Sequence, residues 1–330
     1  MPIKTMDSTC DVSKLPSTYV ISLSNYSAIS LSGEEQSKYL QGQVTCDVNA
    51  VNKNSLSHGA HCDAKGKVLS VFRLINREDE HLLLQAKNSI APSLSALQKF
   101  GVFAKVVIKE TTQLSFFALV GSQASELLQK HFNSVPDSLT PVIQSGTTTL
   151  VYLAGKQERY LIIDETIEAE KLINSFDLEL YDHAVWDLTE IQEGFPILSQ
   201  ATVEQYVPQM LNLQAINGIS FTKGCYLGQE TVARMQYLGK NKRALFSLVS
   251  QNNEPVEHPT ICAGDIIEKQ LGDNWRKAGD VLASFISKEQ TSLQAVLAND
   301  VEYSTVFRLK KQPELLFKLT KLPYSLNQED

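Results

Sequence analysis

Hydrophobic and polar positions alternate in short blocks along the first two thirds of the chain, and clusters of turn residues separate the blocks. Residues 18–24 and 27–31 alternate and are rich in β-branched side chains, which predicts two short strands. Ser32-Gly33-Glu34-Glu35 follows, with Ser32 as N-cap and Glu35 at N3 of a capping box, and predicts the start of a helix carrying Tyr39 and Leu40. Residues 56–63 and 67–75 read as strands joined by Ala64-Lys65-Gly66, a hairpin turn in which Gly66 can take a positive φ. A strand at 81–85, a helix at 90–100 and a strand at 103–108 come next. Residues 116–120, a helix from about Ser122, and strands at 147–153 and 160–163 repeat a similar mixture. The elements are mingled without regular βαβ alternation and with no nucleotide-type glycine fingerprint. That predicts an α+β body with antiparallel sheets.

After Gly239 the pattern changes. Residues 243–250, 264–268, 277–286, 293–297 and 304–309 are short strands spaced by turns with little helical pattern, so residues 239–330 read as a separate β-barrel or sandwich behind a body of residues 1–238. Gly239-Lys240-Asn241-Lys242 is the linker candidate. With 330 residues, 43% of them hydrophobic, the chain is long enough to bury the core of such a multidomain protein.

Charge narrows the partners. A net charge of −7 argues against a broad basic face that grips nucleic acid directly. Arg234, Lys240, Lys242 and Arg243 form the one dense basic cluster, suited to a phosphate or carboxylates or simply to a solvated turn. Five cysteines (10, 46, 62, 225 and 262) form no CxxC pair, and the odd count suits a reducing compartment. Residues 1–15 are polar and no 18-residue apolar run occurs, so the expectation is a cytoplasmic protein that does not span a membrane. The sequon Asn25-Tyr26-Ser27 has no meaning there.

Chemistry concentrates in Lys223-Gly224-Cys225-Tyr226-Leu227-Gly228-Gln229-Glu230. Two glycines let the backbone bend sharply and approach a ligand closely. A thiol acts as thiolate, and a neighbouring ammonium such as Lys223 favours that form. The segment therefore reads as an activatable Cys225 on a tight loop. The plainer alternative is a buried structural cysteine where a helix starts. His58, His61 and Cys62 invite a metal reading, but on a strand 58 and 62 face one side and 61 the other, so no metal site is expected.

This octapeptide, with Asn212-Leu213-Gln214 and Gly218-Ile219-Ser220-Phe221 before it, resembles the signature of the YgfZ family. The resemblance extends to Tyr39–Thr45 (YLQGQVT), His61–Lys67 (HCDAKGK), Gly194-Phe195-Pro196 and Leu322-Pro323-Tyr324-Ser325. The family comprises folate-binding proteins of the glycine-cleavage T-protein superfamily, linked to iron–sulfur enzymes and tRNA modification. The resemblance implies two related subdomains and a C-terminal barrel around a central folate channel. It implies tetrahydrofolate as the ligand, Trp186 and Tyr26 as its aromatic contacts, and Cys225, aided by Lys223, as the working thiol. Tyr26 stands where relatives commonly carry tryptophan, and Gln192 where T-proteins place a pterin-binding glutamate. Glu193 is expected on another helix face. The catalytic aspartate of aminomethyltransferases would fall at Ser70 or Val71, and neither is an acid, so aminomethyl transfer is not expected. Asp63 and Lys65 remain polar turn residues without a role. The implied function is a monomeric accessory protein for iron–sulfur enzymes, tRNA-modifying ones included. The alternative is a folate-dependent one-carbon transferase or demethylase acting on a small amine.

Overall fold

The computed structural model describes residues 2–5, 11–239, 241–251 and 260–326. Three β-layers form among these residues. The first is an antiparallel sheet of five strands in the order Ser57–Cys62, Val68–Arg77, Glu80–Ala86, Tyr26–Ser32, Val107–Glu110. The second has seven strands in the order Ile3–Lys4, Leu180–Tyr181, Thr18–Ser22, Leu114–Gly121, Arg159–Glu165, Thr148–Leu153, Val142–Ser145. The third is a closed barrel of six strands, Arg243–Ser250, Thr291–Ala298, Asn274–Ile286, Ile266–Leu271, Phe307–Leu309 and Gln312–Thr320. The α+β class and the C-terminal barrel hold.

The second sheet is not wholly antiparallel. Leu180–Tyr181 runs parallel to both Ile3–Lys4 and Thr18–Ser22. It is reached from Arg159–Glu165 through the helix Thr166–Ser175, which carries the chain past Leu114–Gly121 and Thr18–Ser22 to the far side of the sheet. The first helix also departs from expectation. It spans Gln36–Gln41, and no side chain caps it. The Glu35 carboxylate accepts instead from the Lys105 backbone N–H at 2.9 Å, while Ser32 ends a strand. Gly33 explains the displacement. At φ 119° it turns the chain against Lys105, whose carbonyl oxygen would lie 2.5 Å from a Cβ there. The expected strand at 103–108 starts only at Val107, leaving Phe103 98% exposed. Gln312–Thr320, which sequence reading left out, closes the barrel.

The helix His183–Glu193 joins the layers. Asp182 caps its first turn by accepting from the Ala184 N–H, and Gly194, left-handed at φ 65°, ends it. A Cβ at Gly194 would strike the Tyr324 hydroxyl at 2.6 Å. Val185, Trp186, Leu188 and Ile191 from this helix pack into one cluster with Tyr26, Ile75 and Leu84 of the first sheet, Ile21, Phe116 and Leu161 of the second, and Phe285 of the barrel. Any polar group on its buried face therefore sits where all three layers meet. No helix among the described residues is long and apolar enough to cross a membrane.

Candidate functional site

Cys225 is exposed on a loop that is tied down on both sides. Before it, the Ser220 N–H donates to Thr45 O at 2.9 Å, and the Thr45 hydroxyl to Gly218 O at 2.6 Å. After it, the Leu227 N–H donates to Gly42 O at 3.0 Å. Gly228 then enters the helix Gln229–Tyr237 at φ 81°, pressed so closely on the 63–67 turn that a Cβ would lie 2.5 Å from Asp63 O. Gly66, at φ 74°, meets Gly228 from the other side, so these two glycines are required by each other's backbone. Gly224 faces open space. The plainer reading of Cys225 as a buried cysteine is thereby excluded.

Lys223 is not directed at that thiol. Its ammonium donates to Val44 O and Cys46 O, both at 2.7 Å, and lies 5.1 Å from the Tyr226 ring centroid. Burial lowers its pKa to about 8. The buried Cys46 thiol is pushed up to about 11, burial outweighing the nearby Lys223 charge.

The interior holds a charged group that sequence reading missed. Glu190 accepts from Arg73 at 2.8 and 3.0 Å through both carboxylate oxygens, and from Arg159 at 2.8 Å. All three side chains are 2–3% exposed. Arg73 also donates to the Tyr26 hydroxyl at 2.9 Å. Burial alone would lower the Arg73 pKa, but Glu190 and Tyr26 outweigh it and hold it above its ordinary value. Rings close over the guanidiniums. The Arg73 Cζ is 3.7 Å from the Phe195 centroid, and Trp186 lies 5.8 Å from Arg73 and 5.3 Å from Arg159. Two cations share one carboxylate here, and the Nε groups of both arginines are buried without a hydrogen-bond partner among the described residues. The sequence carried one signal for this, an arginine at position 73 inside the apolar run 68–75. It carried another in a glutamate four residues after Trp186 on the same helix face.

A cavity of about 400 Å³ opens onto this group, walled by Leu56, Tyr152, Phe195 and Tyr324, with Arg73 and Arg159 contributing the charge. Glu193 reaches it too and accepts from the Lys156 N–H at 2.8 Å. His58 lines the same wall. Its Nδ1 donates to Ile216 O at 3.2 Å, its ring lies 5.6 Å from Phe195, and burial, then Arg73, pushes its pKa down to about 4. Tyr26 and Trp186 meet edge to face, ring centroids 6.3 Å apart, and are 6% and 1% exposed. They line a second, much smaller cavity with Val71 and Asp187, and Phe195 borders both spaces. Burial lifts the Asp187 carboxyl to about 7. Gln192 is exposed. Ser70 is buried, its hydroxyl donating to Ser93 at 3.1 Å, while His61 Nδ1 shares a 2.9 Å hydrogen bond with the same Ser93 hydroxyl. No group of three or more metal-ligating side chains occurs among the described residues. Of the basic cluster, Arg234, Lys242 and Arg243 are exposed and Lys240 lies outside the described residues.

Asn212, named in the sequence only as part of the family motif, binds the loop segment to the barrel. Its amide donates to Leu245 O at 2.8 Å and accepts from the Leu245 N–H at 3.1 Å, standing in for a neighbouring strand. The segment 212–228 thus runs from the barrel, past the cavity wall at Ile216, to the exposed thiol.

Comparison with known proteins agrees with this architecture. A model of the YgfZ beta-barrel domain matches residues 241–312. The tRNA-modifying protein YgfZ of Colwellia psychrerythraea is 58% identical over 327 residues, 99% of each chain. That of Photobacterium profundum is 40% identical over 320 residues, 95% of this chain and 94% of its own. Among solved structures, the glycine cleavage system aminomethyltransferase T from Bartonella henselae superposes with a TM-score of 0.70 over 93% of this chain and 86% of its own. At 14% identity it shares the fold.

Proposed function

The chain belongs to the YgfZ family, and on that footing we propose that it is a monomeric, cytoplasmic, folate-binding accessory protein. It supports the synthesis or repair of iron–sulfur enzymes, tRNA-modifying ones among them, through the thiol of Cys225. The observation that carries this reading is the segment 212–228, which joins the wall of the cavity to the exposed cysteine in one short stretch.

The cavity suits a folate. At about 400 Å³ it falls within the range of small-molecule sites, roughly 300–1,000 Å³. Phe195, Tyr152 and Tyr324 offer apolar walls for a flat ring system. Arg73 and Arg159, with one carboxylate between them, favour a ligand that brings carbonyl oxygens or carboxylates. Trp186 and Tyr26 act behind this wall, holding the guanidiniums in place. Tetrahydrofolate, when bound, supplies a nitrogen that carries one-carbon units. The one-carbon transferase reading is weaker, because Ser70 is tied to Ser93 and Val71 is apolar where the acid would stand.

The partners are iron–sulfur enzymes, and tRNA is reached through them. With a net charge of −7 and a basic cluster able to neutralise only about three or four phosphates, direct RNA contact should be weak and lost at physiological salt. A sub-micromolar complex with free tRNA at about 150 mM salt would count against this. Cys225→Ser should fold normally yet leave methylthiolated tRNA at the level of cells lacking the protein. Wild-type levels from that variant would remove the thiol from the mechanism. Tetrahydrofolate should quench the fluorescence of Trp186, and a titration silent both in fluorescence and in calorimetry would remove the folate.

A further inference from the structure

Lys223 stands two residues before the exposed cysteine, but its ammonium is turned into the body. It donates to Val44 O and Cys46 O at 2.7 Å each. A largely desolvated ammonium is costly unless its protons are satisfied, and two charge-assisted bonds to carbonyls satisfy it well. The backbone ties of the loop lie further out, at Ser220 on one side and Leu227 on the other. Between them Lys223 supplies the side-chain tie, and its own N–H donates to the Ser220 hydroxyl at 3.3 Å. The titratable groups that face the ammonium are Cys46, Asp47 and Tyr226.

We propose that Lys223 is a positioning residue. It staples the 44–46 backbone to the 218–228 loop and so holds Cys225 out in solvent, and its charge serves those carbonyls rather than the thiol. A compact ammonium with three rotatable donors can serve two carbonyls at once, and an Arg fork retains charge and donors for the same task. The inference rests on Cys225 being the working group. Its readouts use purified protein, so they stand or fall independently of whether Cys225→Ser loses function in cells.

The test is made on the full chain with Cys10→Ser and Cys262→Ser, so that alkylation reports Cys225. Lys223→Met should speed amide exchange at Ser220 and Leu227 by about tenfold or more, because the loop loses its staple. The pH at which iodoacetamide alkylation of Cys225 is half-maximal should stay within about 0.3 units of the parent. Lys223→Arg should restore the exchange protection. A thiol titration displaced upward by about one unit or more in Lys223→Met overturns the proposal, since the charge would then act on the sulfur. Unchanged exchange overturns it as well. The parent chain gives a second measurement that needs no Lys223 variant. Acetylation of Lys223 should lag that of the exposed Lys65 by about tenfold or more, and equal rates refute the staple whether or not Lys223→Met folds.

Discussion

Glu190 is one carboxylate answering two buried guanidiniums, and that ratio fixes what its loss would do. Glu190→Gln keeps size and one acceptor but leaves Arg73 and Arg159 as like charges in a buried cluster. Breaking a buried pair by removing one partner costs about 3–5 kcal/mol. The urea midpoint of Glu190→Gln should therefore fall sharply at unchanged m-value, and a wild-type midpoint would mean the two cations are balanced elsewhere. The same residues mark the limit of reading a site from sequence. Tyr26 and Trp186 were legible as a pair of rings, and the fold brings them together at 6.3 Å. Their depth was not legible, because an aromatic side chain on a strand or a helix looks alike in sequence whether it is buried or half-exposed. Arg73 was the signal that could have shown it. A guanidinium inside a strand otherwise buried along positions 68–75 must find a counter-charge, and the residues able to supply one are few.

At the scale of elements, strands with a clean period of two were legible, and Arg243–Ser250 is matched end to end. Errors fell where tertiary contacts outrank local signals. The capping box failed because Glu35 found a backbone partner seventy residues away in sequence. Gln312–Thr320 was missed because Pro313 argues against a strand, although its buried side chains from Leu315 onward alternate as a barrel strand's should. The Cys225 loop offers a direct test at this scale. Gly228→Ala adds a Cβ at positive φ and 2.5 Å from a carbonyl oxygen, so either the 63–67 turn or the loop must move. A loss of about 1–3 kcal/mol and an altered Cys225 alkylation rate are expected. Gly224→Ala, whose Cβ meets nothing within 4 Å, should change stability by no more than about 0.5 kcal/mol. Equal effects at the two positions would show that the back-to-back glycines do not hold the loop.

Over the whole molecule, interior titratable groups, with His61 fully buried and His58 and Asp187 half-buried, set how stability follows pH, and here they oppose one another. Burial lowers His58 and His61 from 6.5 to about 4, so each contributes stability that is present above 6.5 and lost as pH falls toward 4. Burial raises Asp187 from 3.8 to about 7, so its contribution is present below 3.8 and lost as pH rises through 7. Between about pH 5 and 6 the two imidazoles are protonated mainly in the unfolded chain and the carboxyl mainly in the folded one. Each histidine then adds about +1.4 kcal/mol per pH unit to stability and Asp187 subtracts about the same, leaving one unit of positive slope on whatever the other groups contribute. Asp187→Asn should steepen the parent's slope by about 1.4 kcal/mol per pH unit, and His58→Gln should flatten it by the same amount. Urea unfolding at three pH values in this window reads both. Parallel lines for the parent and both variants would mean that neither group changes its protonation on folding, and so that the cavity walls are far wetter than the packing of His58 against Phe195 and of Asp187 beside Trp186 implies.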